Sequence, residues 1–378
     1  MERHLSSMVA GSRDRPFEPA AREVAAHAGG STWQVGLTGL GVRLPRFSAV
    51  WLATGLLFAV SPLLAPGSDS HSALLSTLPF AGILAIAAIG QTLVIQQRGL
   101  DLSVPGMITL STIVVTKVAQ GTDGRLPEAI GLVALACLAS GLVSGIAITR
   151  FGVTPLVATL GVNALLTGVV LQITSGASTY SATPGLGRFA LEKTAGIPNT
   201  VIIAVVVVVV FATLARTTVI GRRFVSAGAS PAAAHVAGVR VKTYEIATYM
   251  LASLTYGAAG VLVAGYLGTP GIGAGDNYLL PTIAAVVLGG TSLAGGSGSV
   301  AATAVGAVFL TQLEQVVLGM GAPASLQLVI QGSIIALGMA LRHVPFARIR
   351  PLLHQLSASS MTPRRRAASP TPGSRRHK

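Results

Sequence analysis

Charge is scarce in this sequence. Asp, Glu, Lys and Arg together make up 10% of its 378 residues, whereas soluble globular chains carry about 25%. So little charge cannot wet the surface of a water-soluble globule of this size. Cys137 is the only cysteine, which excludes a disulfide-built secreted domain. There are four lysines, Lys117, Lys193, Lys242 and Lys378, and none completes a GxxxxGK[ST] phosphate loop, so ATP is not expected to bind this chain in that way. The seven histidines are scattered without ligand spacing, and no metal site is expected. No nucleophile–base arrangement stands out, and the chain is not expected to be an enzyme. Aromatic residues are 5%.

Apolar residues, at 51%, and 45 glycines fill the space that charge leaves. A helix needs about 20 apolar residues to cross a hydrocarbon core of roughly 30 Å. Charge-free stretches predict ten spans, at 47–66, 74–97, 102–119, 128–149, 154–174, 198–215, 244–267, 278–292, 299–318 and 324–342. The third and eighth are short and read as broken or re-entrant. The run Val205–Val210 favours strand by propensity, but an open strand in lipid leaves its backbone unpaired, so helix is expected there. The fold class is therefore an all-α polytopic membrane protein. Its transmembrane domain is expected at 47–342, between basic, largely disordered tails at 1–46 and 343–378.

The net charge of +14 does not indicate nucleic-acid binding, because the basic residues bracket the apolar stretches instead of forming a face. With ten spans and both ends inside, 22 of the 26 Lys and Arg fall on the inner side. Lys117, Arg125, Arg188 and Lys193 fall outside. The positive-inside bias thus places both termini in the cytoplasm. The N-terminal leader is too long for a signal peptide, and the apolar run after it is long enough to span.

The inner loop 216–242 is the most informative segment. Ser230 suits an N-cap, Pro231 the first helical position, Ala232, Ala233 and Ala234 a helix interior, and Gly238 the residue after the C-cap. A helix this short is marginal in water and becomes useful when a partner groove receives it. Gly99–Val104 predicts a tight turn between two spans, with Asp101 or Ser103 capping the second. The small residues of 284–299, including Gly289, Gly290, Gly295 and Gly296, predict close helix approach and a broken span. Intramembrane acids are rare, Glu314 being the deepest, which suggests a path for a neutral polar solute. Gln91, Asn163, Gln172 and Asn277 are candidates to line it.

These stretches resemble the membrane-spanning permease subunits of bacterial ATP-binding cassette sugar importers of the ribose/xylose/galactose type. Gly99–Val104 is similar to the family's GIDLSVG signature, and Pro155–Gly161 to its PxxATLG stretch. Gly221-Arg222, Ala227-Gly228, Ala232-Ala233 and Gly238-Val239 resemble its cytoplasmic coupling loop. Residues 283–299 resemble its IAAVVLGGTSLxGGxGS run. Gly228-Ala229-Ser230 stands where the family carries GGN, and Pro105 where it carries Gly. The resemblance implies two permease subunits, identical or different, in the bacterial cell membrane. It implies a cytoplasmic ATPase subunit carrying ATP and Mg, and an extracytoplasmic solute-binding protein. This chain itself would hold no cofactor. A permease for branched-chain amino acids or nucleosides has the same architecture. A stand-alone secondary carrier would need more deep ionisable groups.

Overall fold

The computed structural model describes residues 47–177 and 180–343, so the expected tails lie outside the described residues apart from His343. The helices, in chain order, are α1 Ser48–Leu64, α2 His71–Gln96, α3 Val104–Ala119, α4 Leu126–Phe151, α5 Pro155–Thr174, α6 Pro184–Leu191, α7 Asn199–Thr217, α8 Val219–Ala229, α9 Pro231–Val236, α10 Val241–Leu267, α11 Leu279–Leu288, α12 Val300–Gly319 and α13 Ala324–His343. Six of the described helices, α2, α4, α5, α7, α10 and α12, are long and apolar enough to cross a membrane. Four shorter apolar helices lie in α1, α3, α11 and α13. Every expected span coincides with a helix, and the valine run lies within α7 as backbone accounting requires.

Three features depart from the sequence reading. The loop 216–242 holds a second helix, α8, before the expected one. The segment after α5 continues into the short helix α6, capped by Thr183, whose hydroxyl accepts from the Leu186 amide at 3.2 Å. Asp123 reaches across to the Gly185 amide at 2.8 Å. Finally, Lys193–Thr194 (β1) pairs antiparallel with Ile197–Pro198 (β2), a two-residue ribbon within an otherwise helical protein.

From Val50 onward the described residues belong to one compact unit. Helix α10 packs on α2, α3 and α4, and α12 packs on α2 and α11. Small residues permit this closeness. A side chain at Gly260 would strike the Ile108 carbonyl of α3, and one at Gly306 the Ala285 carbonyl of α11. Polar pairs join helices inside: Thr92 donates to Thr303 at 3.0 Å, Tyr256 to Gln91 at 3.0 Å, and Gln312 to Ser61 at 3.2 Å. Each satisfies a buried polar group while fixing which helices meet. Cys137 is buried, in keeping with a small apolar side chain. Among the described residues no cluster of His, Cys, Asp and Glu could hold a metal ion.

Candidate functional site: the turn after α2 and the loop helices

Helix α2 ends in a Schellman motif. The Arg98 amide bonds the Ile95 carbonyl at 2.9 Å, and the Gly99 amide bonds the Val94 carbonyl at 3.0 Å. This motif requires a left-handed residue after the cap, a place usually taken by glycine. Arg98 occupies it at φ 66°. The side chain gives the reason. Its Nε donates to the Gly228 carbonyl at 2.9 Å and its Nη2 to the Ala229 carbonyl. These are the last carbonyls of α8, which lack partners within their own helix. A cation there also meets the negative end of the helix dipole.

Two further bonds join the same segments. The Gln97 amide group donates to the Phe224 carbonyl at 2.7 Å, and the Gly296 amide donates to the Gln96 carbonyl at 2.8 Å. The turn after α2, the loop helix α8 and the glycine-rich loop 289–299 therefore form one knot. Glycine is required at its crossings. A side chain at Gly228 would strike the Gln96 carbonyl, one at Gly295 the stem of Arg98, and one at Gly296 the backbone of Ala229. Gly295 and Gly296 also have positive φ, 83° and 68°. Gly290 shares that property at 79°, and a side chain at Gly289 would meet the Thr303 amide at 2.7 Å.

The PxxATLG stretch joins the knot from α5. Thr159 accepts from the Leu102 amide at 3.0 Å, and Asn163 accepts from the Gly106 amide at 2.8 Å. Asp101 accepts from both the amide and the hydroxyl of Ser103, at 2.8 and 2.6 Å, and so shapes the start of α3. Its second oxygen is buried without a partner. Burial pushes this carboxyl above the ordinary carboxylate range, against the two hydrogen bonds from Ser103.

Beyond the knot the chain continues as expected. The Ser230 hydroxyl caps α9 by accepting from the Ala233 amide at 3.4 Å, Pro231 opens the helix, and Gly238 closes it at φ 79°. Ala227, Ala234 and Val239 form a small core that seats α9 against α8 and α10. Ala232, Ala233 and Val236 remain exposed, Val236 at 88%. Upstream, the Thr218 hydroxyl accepts from the Gly221 amide at 3.0 Å, and Arg222 donates to the Thr217 carbonyl at 3.2 Å. The site thus offers an outward-facing, largely apolar knob joined to the end of α2 through α8.

The four candidate path residues are not brought together. Gln91 is buried in the centre, its Oε1 bonded by Tyr256 and its amide nitrogen unpartnered. Asn163 holds Gly106, while Gln172 and Asn277 are exposed. Sequence reading overlooked Arg98, the residue that ties the motifs together. Its only signal is an arginine placed between a helix end and a glycine.

Comparison with known proteins places the chain. The family described as the permease component of branched-chain amino acid transport systems matches residues 73–339. The ribose import permease protein RbsC of Escherichia coli K12 is 31% identical over 304 residues, covering 78% of this chain and 94% of that protein. RbsC of Bacillus subtilis 168 is 31% identical over 294 residues, 77% of this chain and 91% of that protein. The autoinducer 2 import permease LsrC of Salmonella paratyphi B is 32% identical over 277 residues, 72% of this chain and 80% of that protein. No solved structure matches. A helical membrane protein of these proportions, matched over most of its length, belongs to the permease family of ATP-binding cassette importers that includes these ribose and autoinducer 2 proteins.

Proposed function

We propose that this chain is the membrane-spanning subunit of an ATP-driven importer for a monosaccharide, a pentose or hexose. Ten helices cross a bacterial cell membrane with both termini in the cytoplasm. A second permease subunit completes the pathway, and an extracytoplasmic protein delivers the solute. A separate cytoplasmic ATPase carries ATP and Mg and seats on α9. The observation that carries the reading is the knob itself. A helix of six residues is unstable alone, yet this one is capped at both ends, seated on its own small core, and exposes Ala232, Ala233 and Val236 beside His235. That is the form of a helix made to fill a partner's groove. Alternating access then follows as nucleotide in the partner biases the inward and outward states. The sugar assignment is supported by the ribose proteins, which match across nearly their whole length. The family's amino acid description favours the second reading, a branched-chain amino acid as solute.

The test is gentle purification of the chain from its native membrane after mild crosslinking. A P-loop ATPase recovered in near-equal amount, and lost in Ala233→Asp, supports the reading. Recovery of the chain alone overturns it in favour of a self-sufficient carrier. A co-purified solute-binding protein, offered pentoses, hexoses and branched-chain amino acids in turn, identifies the solute.

A further inference from the structure

A groove of about 450 Å³ opens between α8 and the first turn of α10. Arg223 approaches it from one wall and Arg240 from the other, with Thr243 and Tyr244 as further polar groups and Ile220 and Val239 as aliphatic ones. No carboxylate lines it. Glu245 is the only acid in residues 193–275, and it does not line the groove. Arg222 is occupied by the Thr217 carbonyl, whereas Arg223 and Arg240 have no side-chain partner among the described residues. The N-terminal end of α10, a 27-residue helix, adds potential of the same sign. The groove therefore holds two guanidinium groups with nothing to neutralise them.

Its surroundings indicate what would. Helix α8 follows directly on α7, whose Val205, Val206, Val209 and Val210 are exposed in the manner of a lipid-facing span. Val219, Ile220 and Val225 continue that exposed aliphatic face onto α8, Ile220 at 69%. A helix with arginines beside an exposed aliphatic face is built for the headgroup layer. The residues of the α9 knob, Ala232, Ala233 and Val236, do not line the groove. Residues 343–378 contain no acidic side chain and eight Lys and Arg residues, so that segment is repelled from it.

We propose that this groove binds the headgroup of an anionic glycerophospholipid, with its phosphate between Arg223 and Arg240 and its acyl chains along Ile220. Paired guanidiniums suit phosphate oxygens by geometry as well as charge. Basic pockets at the cytoplasmic ends of membrane helices take such headgroups.

The test uses the full-length chain in mild detergent, given equal phosphatidylglycerol and phosphatidylcholine and examined by native mass spectrometry. The wild type is expected to retain phosphatidylglycerol preferentially. The double variant Arg223→Gln/Arg240→Gln is expected to lose that retention about tenfold. Arg222→Gln, outside the groove, retains it, and Arg223→Lys/Arg240→Lys retains most of it. Raising the salt concentration should weaken retention by the wild type, a reading that needs no variant. Three results overturn the proposal: equal retention of both lipids by the wild type, undiminished retention by the double glutamine variant, or a crosslink showing residues 1–46 in the groove with phosphatidylglycerol excluded. None of these outcomes depends on whether an ATPase accompanies the chain.

Discussion

Helices α2 and α7 are both strongly apolar, yet 89% of the apolar stretch of α2 is buried inside the protein against 11% for α7. The difference lies in side-chain size. Helix α2 carries Gly82, Gly90 and several alanines, while α7 carries an unbroken run of valines. In lipid, apolarity drives no helix toward another, because the acyl chains are as apolar as valine. Close packing decides instead, and only small residues permit it. At Gly90 a side chain would meet the ring of Tyr256 at 2.7 Å and the Ala252 carbonyl at 2.9 Å. Helix α7 approaches α2 near its start, where a side chain at Gly82 would meet the Thr200 carbonyl at 3.0 Å, while its run of valines faces outward.

The largest effect that could break this contrast is at Gly90. Gly90→Leu is expected to abolish a monodisperse folded species in detergent chromatography, since overpacking costs about 1–3 kcal/mol and backbone leaves no room to yield. Next is Gly228→Ala, whose one added methyl meets the Gln96 carbonyl. It should lower the thermal unfolding temperature in detergent and part the knot, seen as faster amide exchange over 224–230.

Arg98 sharpens the comparison further. Arg98→Ala loses two charge-assisted bonds worth about 1.5–3 kcal/mol each in favourable settings, and leaves alanine in a left-handed conformation. Arg98→Gly loses the same bonds but relieves a left-handed penalty of about 1–2 kcal/mol. The expected order of thermal stability is wild type, then Gly, then Ala. Equal values for Gly and Ala would show that the backbone there relaxes.

Asp101 gives a smaller effect with a definite sign. Its pKa in the fold is raised, so the folded state holds the proton more tightly than the unfolded chain. Its contribution is present below the ordinary value of 3.8 and is lost as pH rises from there through the raised value. Asp101→Asn is expected to unfold within about 1 kcal/mol of the wild type, because the unpartnered oxygen loses no bond. It should also flatten the pH dependence of the unfolding temperature. The smallest effect belongs to α7. Val206→Leu should change stability by less than about 0.5 kcal/mol, the exposed counterpart of Gly90→Leu.

Much of the fold was legible in the chain because hydropathy and capping are local. The positions of the spans, the capped helix after Ser230 and the turn at Gly99 all follow from runs and dyads within a few residues. Helix α8 escaped notice because its glycines and arginines suggest a loop; it is held by Arg98 and Gln97 from α2, more than a hundred residues away. Thr159 and Asn163 likewise acquire their roles only from backbone amides of the turn before α3 and of its first residues.

The sequence by itself determined that this is a helical membrane protein, where its apolar spans run, and that one short loop helix is capped at both ends. Backbone groups in lipid must find their partners inside the protein, so apolar length decides the spans, while Ser230, Pro231 and Gly238 decide the loop helix. Tertiary structure decided which apolar helices are central and which lie at the outside of the chain, and that one arginine ties the signature turn to the loop helices. Those depend on close approach between segments distant in the chain, where a single methyl decides whether two backbones can meet.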